Sequence, residues 1–150
     1  TIATREIVFP NGITILRSGE LLVADSLTGE LLAFTRQADG TLTDRRVWAA
    51  LPGEMPDGIS LDAEGAVWVA SHHRVLCVHE VGEITDVVDM GSTRATACML
   101  GGADGRTLLI TASDTHDRAE IRAKGPSGAL FTVHVSVAGA GLPSVYGATS

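Results

Sequence analysis

The 150-residue sequence predicts an all-β fold of the β-propeller type, with three four-stranded blades. The first observation behind this is a repeat. Pro10-Asn11-Gly12-Ile13 returns 46 residues later as Pro56-Asp57-Gly58-Ile59. In both copies a turn glycine, Gly19 or Gly65, follows the polar residue by eight, and a degenerate third copy centred on Ala97 reaches Gly105 at the same interval. Periods of 40 to 46 residues mark stacked units that cannot bury their own faces alone. The second observation is that short apolar runs fill the space between turns, with no helix-period pattern of helical length. A β-sandwich would also give many short strands, but it would not repeat one motif at fixed offsets.

The elements follow in order. Each unit opens with an inner strand at its Pro-x-Gly element. In the first unit Leu21-Leu22-Val23-Ala24 and Leu31-Leu32-Ala33-Phe34 flank the turn Ser26-Leu27-Thr28-Gly29. The second unit gives Ala66-Val67-Trp68-Val69-Ala70, then Val75 to His79. The third gives Thr107 to Thr111, then Ala129 to Val135. All are rich in β-branched and apolar residues and are bounded by Gly, Asp or Ser. A more polar fourth strand follows, Asp44 to Trp48 or Ile84 to Val88. Only Ala119 to Lys124 reads as a helical turn. The blades are expected near 8–52, 53–92 and 93–143.

Composition removes several classes of function. A formal charge of −7 and a pI near 5.1 argue against nucleic acid and against anionic membrane surfaces. No apolar run approaches the roughly 20 residues that span a bilayer. Cys77 and Cys98 lack metal-ligand spacing and sit in apolar stretches, so they are expected as buried free thiols of a cytoplasmic protein.

In a radial arrangement of the units, Asn11 and Asp57 occupy equivalent points and converge. An amide oxygen and a carboxylate are hard donors, suited to Ca²⁺ first, with Zn²⁺, Mn²⁺ or Mg²⁺ as alternatives. A metal there can polarise a lactone carbonyl and acidify a water, while the carboxylate takes that water's proton or orients it. A lone Pro-Asp-Gly is only a turn; two copies at matched offsets make ligands the better reading. Asp25 and Asp62 read as hairpin residues, since Asp62 opens an Asp-x-x-Gly turn. His72 and His73 read as a rim loop, Asp114-Thr115-His116-Asp117 as an exposed connection, and Trp48 and Trp68 as packing. Ala97 cannot ligate anything. No nucleophile elbow with a Ser-His-Asp set and no phosphate-binding glycine loop is present.

The runs Phe9-Pro10-Asn11-Gly12 with Ala24-Asp25-Ser26, and Pro56-Asp57-Gly58-Ile59-Ser60-Leu61-Asp62 into Val67-Trp68-Val69-Ala70, resemble the regucalcin/gluconolactonase (senescence-marker-protein-like) family. Thr96-Ala97-Cys98-Met99-Leu100-Gly101-Gly102 with Gly128-Ala129-Leu130-Phe131 extends the likeness over nearly the whole chain, with Leu100 replacing the typical Phe. The resemblance implies a six-bladed propeller of about twice this length, of which this chain is the C-terminal half. It implies one divalent metal, held by Asn11 and Asp57, with Asp57 also the catalytic carboxylate. The third ligand, a glutamate, and the sugar-contacting residues belong to the other half.

Three blades leave open ends, so a missing N-terminal half or a second copy is expected to close the ring. The start at Thr1, nine residues ahead of the first repeat, favours a fragment. The expected function is metal-dependent hydrolysis of a sugar or other small lactone to its acid. Two alternatives remain: a non-catalytic propeller used for binding or as a scaffold, and a strictosidine-synthase-like or phosphotriesterase-like propeller.

Overall fold

The computed structural model describes residues 2–115, 117–125 and 127–141. Among these residues it is all-β apart from one short α-helix and a 3-10 turn at Glu80–Gly82, and its strands form three antiparallel sheets. The first sheet contains β1 (Pro10–Ile15), β2 (Leu21–Asp25), β3 (Glu30–Arg36) and β4 (Leu42–Ala50), in that order. The second repeats the meander with β5 (Ile59–Leu61), β6 (Val67–Ser71), β7 (Arg74–Val78) and β8 (Ile84–Asp89). The third has β9 (Arg94–Gly101), β10 (Thr107–Ser113) and β11 (Gly128–His134).

The first two sheets match the four-stranded expectation; the third has three strands among the described residues. The expected third blade runs past the last described residue at its C-terminal edge. After β11 the chain crosses back to the second sheet, where Ala63 N–H donates to Ala138 O and Ala140 N–H to Leu61 O. The expected helical turn is a seven-residue helix, α1 (Arg118–Lys124). Asp117 caps it by accepting from the backbone N–H of Ala119 and Glu120, which satisfies donors that have no partner within the helix. Asp117 is therefore a cap in an exposed connection, and His116 lies outside the described residues.

Alternation decides which residues meet. Strands of the second sheet carry apolar residues on both faces because both faces are covered. Val67, Val69, Leu76 and Val78 pack against Leu22, Ala24, Leu31, Ala33 and Trp48 of the first sheet. On the opposite face, Trp68, Ala70, Val75 and Cys77 pack against Cys98, Leu100, Leu108, Ile110 and Ala112 of the third. Both tryptophans are core residues, and Leu100 fills the core in place of a larger ring. Both thiols are free and buried, and burial pushes the Cys98 thiol up to about 12. Among the described residues no helix is long and apolar enough to cross a membrane.

The two outer faces of the stack differ. On the first sheet Val23, Leu32 and Phe34 are at most 2% exposed, because Ile7 and its neighbours lie over them. The segment before β1 crosses this face: Leu42 N–H donates to Ala3 O, Arg45 Nε to Glu6 O, and Val8 and Phe9 N–H to the Asp25 carboxylate. The outer face of the third sheet is bare, with Met99 55%, Leu109 39% and Leu130 75% exposed. The expectation that sheet faces are left open therefore holds at one end and is corrected at the other.

The two kinds of glycine in the repeat serve different ends. Gly19, Gly65 and Gly105 have φ of 88°, 96° and 73° and make the hairpin turns. Gly12 and Gly58 are not left-handed; they permit contact between inner strands. A Cβ on Gly12 would lie 2.5 Å from Asp57 O, and one on Gly58 would lie 2.6 Å from Ala97 Cα.

Gly58→Ala is therefore expected to destabilise by about 1–3 kcal/mol through overpacking, more than the roughly 0.4–1 kcal/mol that a stiffer unfolded chain returns. A urea midpoint at or above that of the parent would contradict this. Asp25 gives a second prediction. Its burial pushes the carboxyl pKa up, but N–H donors from Val8, Phe9, Thr28 and Leu27 outweigh burial and hold it below the ordinary value of 3.8. A depressed folded-state pKa adds stability above the ordinary value and loses it as pH falls through the folded one. Asp25→Asn should cost about 1–3 kcal/mol at neutral pH, and the gap should close in acid. Urea titrations at several pH values read it, and a gap independent of pH would refute it.

Candidate metal centre

The inner strands of all three sheets begin irregularly, and the candidate ligands sit at those irregularities. In β1 the pairing shifts between Pro10↔Asp25 and Ile13↔Val23, so Asn11 and Gly12 together oppose Ala24. Asp57 and Gly58 likewise share Ala70: Asp57 N–H donates to Ala70 O at 2.8 Å, and Ala70 N–H donates to Gly58 O at 2.9 Å. In β9 the register slips past Thr96, between Thr111↔Ala97 and Ala112↔Ala95. An extra residue of this kind re-aims a side chain out of the regular pleat.

Neighbouring inner strands touch at these points. Gly12 N–H donates to Asp57 O at 3.0 Å, and Gly58 N–H donates to Thr96 O at 3.1 Å. Asn11 and Asp57 are thus brought to adjoining strand starts, as the repeat requires. The same bonding pattern shows that the third-sheet equivalent of Asp57 is Thr96, not Ala97. Counting back from Gly105 misses it because the slip adds one residue. The Thr96 hydroxyl lies 2.8 Å from Thr111 Oγ1 and 3.2 Å from Thr111 O.

Both candidate positions are held by side chains that sequence reasoning passed over. Ser26 Oγ donates to Pro56 O at 2.6 Å and lies 3.4 Å from Asn11 Nδ2. On the other side of Asp57, Ser71 Oγ donates to Glu54 Oε2 at 2.7 Å and accepts from Met55 N–H at 2.9 Å. Glu54 also pairs with Arg74 at 2.5 Å. The segment 54–57 is pinned from both sides. The available signal was that Ser26 and Ser71 end apolar strands, where a buried hydroxyl needs a partner.

The remaining expected residues fall elsewhere. Asp62 makes its turn, with Oδ1 accepting from the N–H of Glu64 and Ala66 at 2.9 Å each. Asp25 also serves its hairpin, where Gly29 N–H donates to Asp25 O at 3.1 Å and the N–H groups of Leu27 and Thr28 reach its carboxylate; the same carboxylate anchors the segment entering β1. His72 and His73 form the two-residue link between β6 and β7, where His72 has φ 47° and His73 Nδ1 lies 3.1 Å from Thr93 O. That is the expected rim loop. Two clefts, about 260 and 340 Å³, lie away from the candidate ligands, the first lined in part by Asp62 and Glu64 and the second by Leu16, Glu64 and Gly65. Across the second cleft, Arg46 joins Glu20 and Glu80 at 2.9 and 2.6 Å.

An amide oxygen and a carboxylate fit a hard divalent cation by donor type. Among the described residues no group of three or more His, Cys, Asp or Glu is placed to hold a metal ion.

Comparison with known proteins agrees with the motifs. 6-Deoxy-6-sulfogluconolactonase of Pseudomonas putida is 36% identical over 107 residues, covering 69% of this chain and 37% of that protein. Regucalcin of Danio rerio is 34% identical over 116 residues, covering 73% of this chain and 39% of that protein. The chain thus spans well under half the length of these curated relatives. A solved calcium-binding protein, regucalcin, from Agrobacterium tumefaciens shares the fold with a TM-score of 0.74, over 93% of this chain and 50% of that one, at 24% identity. Residues 1–114 match the family model for the SMP-30/Gluconolactonase/LRE-like region, and the chain belongs to that family.

Proposed function

We propose that residues 1–150 are the C-terminal half of one six-bladed propeller domain, whose closed form hydrolyses a sugar or other small lactone in the cytoplasm. The observation that carries this is the contact at Gly12, which sets Asn11 and Asp57 on strand starts sharing a 3.0 Å backbone hydrogen bond. The relative named as a sulfogluconolactonase supports a lactone as substrate, and those named regucalcin support a divalent ion, Ca²⁺ before Zn²⁺, Mn²⁺ or Mg²⁺. Two buried free thiols suit a reducing compartment.

Asn11 and Asp57 are the residues that would hold the ion, with the remaining ligands supplied by the missing half. A divalent ion bound there would polarise the lactone carbonyl and lower the pKa of a water. Asp57 takes a proton from the attacking water and returns it to the ring oxygen as the ring opens. Asn11 contributes a neutral oxygen, which limits the negative charge facing a carboxylic acid product. The pinned 54–57 segment keeps the Asp57 carboxylate in one place through both proton transfers.

In the full-length protein, Asp57→Ala should lower kcat/KM for lactone opening by about 10²–10⁴-fold, and chelation should abolish turnover until Ca²⁺, Mn²⁺ or Zn²⁺ is restored. Undiminished lactonase activity in the stripped protein would overturn the reading. The isolated 150-residue chain, bringing two oxygens where Ca²⁺ takes about 6–8, should open lactones no faster than buffer. A steady-state assay of the 15.6 kDa monomer checks this, and full turnover would refute the half-propeller assignment.

A further inference from the structure

Ser26 touches both segments of the candidate centre, the Asn11 amide and the Pro56 carbonyl next to Asp57. It follows β2, is 5% exposed, and is fixed by its own N–H donating to Phe9 O at 3.1 Å. Its neighbour Asp25 accepts from Val8 and Phe9 N–H, so the strand end cannot slide relative to the segment that carries Asn11. The Ser26 hydroxyl lies 2.6 Å from Pro56 O, a carbonyl that can only accept. A hydroxyl has a single proton, and here it is committed to Pro56. Toward Asn11, 3.4 Å away, Ser26 can therefore only accept.

We infer that Ser26 is a positioning residue for the centre: by accepting from Asn11 Nδ2 it turns the Asn11 amide so that its oxygen, not its nitrogen, is presented away from Ser26 to a cation. Without that bond the amide can flip and offer two N–H donors, which repel a cation. The same hydroxyl ties the Pro56–Asp57 peptide to the first sheet, so one proton's placement sets the orientation of one ligand and anchors the backbone of the other. This inference rests on the proposed metal role of Asn11 and Asp57. Partners one shell beyond a metal's ligands commonly alter affinity by 10–100-fold.

A double-mutant cycle on the full-length protein, read by Mn²⁺ binding in calorimetry, separates this from a packing role. An aspartate has two equivalent oxygens and no flip to control, so in the Asn11→Asp background the identity of residue 26 should matter little. Ser26→Ala alone should weaken Mn²⁺ binding by tenfold or more, Ser26→Thr should retain affinity within about threefold, and Ser26→Ala added to Asn11→Asp should cost less than threefold. An equal loss from Ser26→Ala in both backgrounds would mean that the serine only supports the fold, and would overturn the inference. So would unchanged affinity in Ser26→Ala while Asn11→Ala and Asp57→Ala abolish binding. If Asn11→Ala and Asp57→Ala both bind Mn²⁺ like the parent, the metal reading itself fails and the inference with it. Were Asn11→Asp to bind no Mn²⁺, the Ser26 pair would decide: affinity kept by Thr and lost by Ala supports positioning, and loss in both overturns it.

Discussion

Everything near the candidate centre depends on two places where backbone meets backbone with no side chain between. Gly12 lies against the Asp57–Gly58 peptide, and Gly58 against Thr96–Ala97. Each contact is also a hydrogen bond from the glycine N–H to the neighbouring strand's carbonyl. Packed sheets are normally held about 10 Å apart by their side chains. Here the sheets splay from a common edge, and that edge can be narrow only because these positions carry no Cβ. The wedge lets residues one position away, Asn11 and Asp57, stand on adjoining strand starts. Away from that edge the gap is filled by large residues, Trp48 between the first pair of sheets and Trp68 between the second.

Most strands were legible in the sequence because their runs are short, apolar and punctuated by glycine. The placement of Asn11 and Asp57 on adjoining inner strands was legible because the repeat doubled a signal that is meaningless alone. Thr96 was not, since its strand carries neither the proline nor the glycine of the motif, and the register slip at Thr96 shifts the spacing by one. The role of the motif glycines was also hidden: Pro-x-Gly has the composition of a turn, and only the tertiary contact explains a glycine with an ordinary φ. Asp25 and Ser26 stood in plain view as a strand end. The partners that tie them to other segments, 15 or more residues away in sequence, could not be read from local pattern. The three-stranded third sheet among the described residues is a similar case, because nothing in β11 itself says whether its outer edge is paired.

Charge is used sparingly and between elements rather than within them. The Asp25 carboxylate is buried but satisfied by backbone N–H groups, the arrangement that lets an ionised group stay inside a protein. Arg46 reaches from β4 to Glu20 and to Glu80 of the second sheet, and its guanidinium holds the Glu20 carboxyl below its usual range. These side chains are partly in solvent, where such pairs add little stability. Their geometric effect is larger: they fasten the outer rims of the first two sheets, while the glycine contacts fasten the inner ones.

The unequal ends of the stack bear on how a ring could be completed. Joining two copies around a shared axis would bring the bare third sheet of one against the first sheet of the other. That first sheet does not offer open strands, because residues 3 to 9 already lie across it and are bonded to β2 and β4. The contact would therefore be made with a crossing segment rather than with a flat apolar face. The geometry is polar, like a row of tiles with a tongue at one side and no groove at the other. The two ends of the stack are therefore unlike, and two copies would not meet there face to face as the sheets within one copy do.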